Sequence, residues 1–353
     1  MRQVGLIATV VAGVAACGPQ MATGPLTAPP TRSTIDSGPP PALHHPDGVV
    51  DHTVALDGEP YGVAVSTSGE VFVARVYADL VSPMALGDAE FGAGISVKIG
   101  GTTGSGDSAS TPAVPWMGSV HVAFNPAGTR AYVTDQFGNA VSVIDVASKT
   151  LLATIPLGDG GFNLGVTPDG SRVYATTATG SVYVISAAAD AIVDSMRVGS
   201  ASNGVAFSPD GGTVYISSRD AGTITAFRTS DEAQLVTYTV GGRPQRLAVS
   251  DDGSSLYAAN EDQGLDVVDL ASGATATVPG LTTGYGLGLT PDGAELWVTS
   301  PLDGTIKIVD RGTLTVVKTV DLGANTVPRN VAFNASGTTA VVTDGNGSVI
   351  FFR

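Results

Sequence analysis

Short runs of alternating apolar and polar residues fill most of the chain. In the segment RAYVTDQFGNAVSVIDV, residues 130–146, two runs rich in β-branched and aromatic side chains flank the turn DQFGN. Period-two runs of this composition around a Gly-containing turn predict a pair of antiparallel strands. The same unit recurs. The glycine of the turn before the first run falls at Gly69, Gly128, Gly170, Gly211, Gly253, Gly293 and Gly337, at spacings of 59, 42, 41, 42, 40 and 44 residues. One long spacing among near-equal ones marks an insertion in the first unit.

Each full unit holds four strand-like runs. In the second unit they are VHVAF (120–124), AYVT (131–134), VSVID (141–145) and LLATIPL (151–157). Four strands in about 42 residues is the size of one propeller blade, and a single blade cannot bury both of its faces. The pattern therefore predicts an all-β, seven-bladed propeller over residues 49–353. The last unit lacks its fourth strand, whereas VVDHTVALDG (49–58) matches the fourth-strand pattern of LLATIPLGDG (151–160). The N-terminal strand is thus expected to complete the last blade and remove an exposed edge.

Two segments interrupt the pattern. Aligning Phe72 to Val97 with Tyr132 to Val143 assigns the first blade about 14 extra residues at 76–94, between its second and third strands. A second irregular piece covers 100–119 and carries Trp116 and Met117. Long loops on a rigid scaffold often carry recognition.

The first 48 residues follow other rules. MRQVGLIATVVAGVAACG has one early positive charge and an apolar run too short to span a membrane, which predicts a signal peptide at 1–16. Val14-Ala15-Ala16-Cys17 resembles the bacterial lipobox, which implies that Cys17, the single cysteine, carries lipid and begins the mature chain. Residues 17–48 hold eight prolines and no apolar face, and read as a tether. At about 3.1 Å per residue it reaches up to ~90 Å. The expected setting is the bacterial cell envelope, with the membrane engaged only through the anchor.

The repeat resembles the YVTN family of β-propeller repeats, on Tyr132-Val133-Thr134-Asp135, Val143-Ile144-Asp145 and Ala153-Thr154-Ile155-Pro156-Leu157-Gly158. That resemblance implies a fold and an extracytoplasmic setting, and no activity.

Composition narrows the chemistry. A formal charge of -15 and a pI near 4.4 oppose nucleic acid and anionic lipid as partners. No His cluster, Gly-x-Ser-x-Gly elbow, phosphate loop or full calcium loop is present, so no catalytic set, cofactor or metal is expected. In a propeller the loops entering the innermost strands surround the mouth of the axial channel. Those positions hold Glu59, Tyr61, His121, Phe162, Asn163, Asn203, Arg243, Arg246, Tyr285, Arg329 and Asn330, with Trp116 in the second insertion nearby. Arg75 and Arg219, with Asp135, Asp220, Glu261, Asp262, Asp303 and Asp344, fall on outer loops of the same face. The expectation is a basic, aromatic mouth inside an acidic rim, able to take a carboxylate. The leading functional reading is a monomeric, non-enzymatic platform for a protein, peptide or glycan. A propeller hydrolase such as a sugar-lactone lactonase is the alternative, and a structural envelope component the second.

Overall fold

The computed structural model describes residues 45–97 and 121–353. The expectations at Cys17, Trp116 and the 100–119 segment lie outside these residues. Among the described residues, seven antiparallel four-stranded sheets form the blades. Blade two runs Val122–Phe124, Arg130–Asp135, Ala140–Asp145 and Thr150–Pro156, from the axis outward. Blades three to six repeat this order, so the seven-bladed all-β reading holds. No helix among the described residues is long and apolar enough to cross a membrane.

The ring closes as expected. The strand Val50–Ala55 pairs antiparallel with Ser348–Phe352, and completes the blade begun by Pro328–Phe333. Burial explains why closure is needed. Each pair of neighbouring blades shares one apolar cluster drawn from both. Phe72 with Val133 and Ile144 joins blades one and two, and Val54, Phe351, Val71 and Met84 join blades seven and one. Without the N-terminal strand this last cluster would lose one wall.

The turn between the first two strands of a blade is fixed locally. In Ser208-Pro209-Asp210-Gly211, the Ser208 hydroxyl donates to Asp210 Oδ1 at 2.5 Å and accepts the Thr213 amide at 2.9 Å. Asp210 also accepts the Gly212 amide at 2.9 Å, and these bonds hold its carboxyl below the usual range. Gly211 has φ +69°, and a Cβ there would meet Pro168 of the preceding blade at 3.3 Å. The same Ser/Thr-to-Asp bond recurs at Thr167, Ser250 and Thr290, which accounts for the repeated Pro-Asp-Gly signal.

The first blade departs from its predicted register. Its third strand is Leu80–Ala85, inside the 76–94 segment read as an insertion, and it pairs directly with Glu70–Arg75 through the short turn Val76–Ala78. The extra residues follow that strand, where the Leu86 amide donates to Gly69 O at 2.8 Å. They therefore lie on the face opposite the mouth, with Phe91 against the cluster of blades seven and one.

Candidate functional site

A buried Ser or Thr near the end of the second strand builds the mouth. Thr343 is fully buried, and its hydroxyl accepts the Asn330 amide at 3.1 Å and donates to Tyr61 O of the next blade at 2.7 Å. Thr176 does the same between Asn163 N (3.1 Å) and Asn203 O (2.8 Å). Ser217 joins Gly204 N (2.7 Å) to Gln245 O (2.9 Å), and Thr299 joins Gly286 N (2.8 Å) to Arg329 O (2.7 Å). One hydroxyl thus pins the inner strand of its own blade to that of the next. The pins of Thr343, Thr176 and Ser217 sit at bulges, such as Pro328/Val331, where the inner strand slips register against the second strand. Bulges re-aim side chains, and here the re-aimed residues are those of the channel mouth.

These residues divide into two levels. Glu59, Tyr61, Phe162, Asn203, Gln245, Tyr285 and Arg329, with Arg219 and Glu261, line a cavity of about 480 Å³ at the mouth. His121, Asn163, Arg246 and Asn330 line a second cavity of about 440 Å³, which continues along the axis to Thr67 and Pro126 on the opposite face. Among the described residues, the two cavities share no lining residue. The boundary falls within each inner strand, between Phe162 and Asn163, Gln245 and Arg246, and Arg329 and Asn330.

At the mouth, Arg329 lies over two aromatic rings, 5.1 Å from the centroid of Tyr61 and 5.7 Å from that of Tyr285. The two rings meet edge to face at 82°, with their hydroxyls hydrogen-bonded to each other. Burial pushes the Tyr61 phenol up to about 12, so it stays protonated and can donate. Arg329 Nη2 reaches Glu59 at 3.2 Å, and Glu59 holds a left-handed backbone with φ +53°.

The arginines do not make the mouth basic. Arg219 grips Glu261 through two bonds of 3.2 and 2.9 Å. Arg243 sits at the rim, 2.9 Å from Glu261 and 2.6 Å from Asp262. Gln245 also donates to Glu261. Arg75, read as a rim cation, is turned onto Asp57. Three guanidiniums of blades four, five and seven therefore face Glu59, Asp220, Glu261 and Asp262, and the mouth is close to neutral. Sequence cannot show which arginine has found its acid.

Arg246 is the exception. It is 7% exposed, its Nε donates to Asn330 Oδ1 at 2.8 Å, and its Nη1 has no partner. Burial lowers it to about 10, which leaves it charged at neutral pH. His121 retains some exposed surface, yet its Nδ1 is enclosed and unpartnered; burial, and then Arg246, hold its pKa well below the ordinary value. Sequence reading missed Tyr77, which lines the mouth because the third strand of blade one starts at Leu80. Among the described residues, no group of three or more His, Cys, Asp or Glu is placed to hold a metal.

No protein of curated function matches the chain. Among solved structures, hydrazine synthase of Kuenenia stuttgartiensis is similar in fold, with a TM-score of 0.69 at 17% identity over 84% of this chain and 96% of that chain. Identity that low speaks to the fold alone. A family model described as "Lactonase, 7-bladed beta-propeller" matches residues 100–276, just over half of the chain. The chain belongs to the lactonase family of seven-bladed β-propellers.

Proposed function

We propose that the mouth binds a neutral polyhydroxylated ring, a sugar residue of an envelope glycan or a sugar lactone. The observation that carries this reading is Arg329 lying over Tyr61 and Tyr285 at the edge of a cavity of about 480 Å³. Aromatic faces pack the C–H faces of a sugar, while guanidinium and carboxylate groups meet its hydroxyls in pairs. The near-neutral charge favours such a ligand over the carboxylate that a basic mouth would select. Lipidation at Cys17 and the proline-rich tether would hold the propeller at the envelope, where such ligands occur. The YVTN-like reading of the repeat draws support from the Thr pins.

Turnover is the second reading, favoured by family membership and by Glu59. Its Oε1 bonds Arg329, and no partner binds Oε2. That oxygen could orient a water for attack on a lactone carbonyl, with Arg329 beside the developing oxyanion. The test is calorimetric titration of the full-length protein in detergent with aldoses, oligosaccharides and gluconolactone, with acid release followed in a pH-stat. Binding without acid release supports recognition. Acid release that Glu59→Gln abolishes supports turnover. No binding of any ring refutes the mouth reading and favours a structural envelope component.

A further inference from the structure

The lower axial cavity differs from the mouth in its lining. Its walls are the inner strands below the mouth. Val205, Leu247, Leu287 and Phe333 lie at the centre of the molecule, yet are only partly buried, because they face this cavity. His121, Asn163, Arg246 and Asn330 gather at the end nearest the mouth, Ser66, Thr67 and Asn125 lie at the opposite end, and the apolar side chains line the stretch between.

A buried, charged guanidinium with an unpaired N–H is costly. An unsatisfied buried donor is destabilising, and more so when charged. Charges in such places are normally paired. Among the described residues no salt bridge involves Arg246, in contrast to Arg219, Arg243 and Arg329. Asn330, which holds Arg246 Nε, is itself fixed by donating Nδ2 to Tyr61 O at 2.7 Å. The guanidinium is therefore oriented, and one face of it is left open. Beside it, the enclosed Nδ1 of His121 offers a second unpartnered nitrogen.

We propose that this lower cavity binds an aliphatic monocarboxylate that enters from the face opposite the mouth, with its carboxylate on Arg246 and His121 and its tail along the apolar inner strands. Charge complementarity selects the head group, since Arg246 is a cation without a carboxylate of its own. The half-buried Val, Leu and Phe side chains select the tail. The site is independent of the sugar reading, because among the described residues the two cavities share none.

The test is titration of the full-length protein in detergent with acetate, butyrate, hexanoate and octanoate, by calorimetry and by the carboxyl NMR signal of labelled hexanoate. Each added methylene buried is worth about 0.8 kcal/mol, so affinity should rise about fourfold per methylene. Arg246→Met should weaken hexanoate at least tenfold, and Arg246→Lys should restore part of it. Arg329→Gln, a mouth variant, should leave it unchanged. Equal affinity along the series would overturn the site, as would equal competition by chloride or unaltered binding in Arg246→Met. If Arg246→Met fails to fold, the series and the chloride competition on the unaltered protein still decide.

Discussion

Thr343→Val removes one hydroxyl at the seam where the last blade meets the first. Thr343 Oγ1 accepts the Asn330 amide at 3.1 Å and donates to Tyr61 O at 2.7 Å, in a fully buried position. Valine keeps the shape. The Tyr61 oxygen retains the Asn330 side-chain amide at 2.7 Å, so only the Asn330 N–H is orphaned. An orphaned buried donor costs about 1–3 kcal/mol, and the lost bond about 1 more. The added methyl returns about 0.8 kcal/mol. The expected loss is therefore about 2 kcal/mol. Urea unfolding followed by the fluorescence of Trp297, which is fully buried, measures it. Thr239→Val, on an exposed outer strand, is the control and should change stability by less than about 0.5 kcal/mol. If Thr343→Val matches the control, the hydroxyl is no pin and the account of the mouth's geometry fails.

Three further outcomes follow from the site. His121 is held neutral in the fold, so its contribution is complete above about pH 6.5 and is lost as pH falls below that value. Acidification to about pH 5 should cost the unaltered protein up to about 2 kcal/mol that His121→Gln does not lose, measured by urea unfolding at each pH. A Cβ at Gly345 would stand 3.1 Å from Arg329 Nε, so Gly345→Ala should shift that guanidinium and weaken sugar binding several-fold, read by calorimetry, with little loss of stability. Cys17→Ser should move the protein from the membrane to the soluble fraction on cell fractionation and abolish labelling by radioactive palmitate.

The repeat was legible because its constraints are local. The positive-φ glycine, as at Gly211, marks all seven copies, and the turn carboxylate, as at Asp210, marks four of them. The closing strand was legible because an apolar seam needs both walls. The first blade was misread because aligning Phe72 to Val97 with Tyr132 to Val143 put the extra residues before the third strand, whereas that strand is LVSPMA, which contains Pro83, a residue unusual in an interior strand. The residue is tolerated there because the outer strand, Ile95–Ser96, covers only Leu80 and Val81. The loops entering the inner strands were read as one mouth, whereas the structure divides these residues between two cavities, with Asn163, Arg246 and Asn330 on the inner strands below it. Arg243 and Arg246 are three positions apart, and one is neutralised by Asp262 while the other is buried without an acid. That difference depends on the neighbouring blade, which no local pattern encodes.

A crystal structure of the protein soaked with gluconolactone tests the central claim most directly. The expected result is density for the lactone, or for its hydrolysis product, packed against Tyr285 with hydroxyls bonded to Arg329 and Glu261. A mouth that stays empty at saturating ligand, or a ligand bound only elsewhere on the propeller, would contradict it.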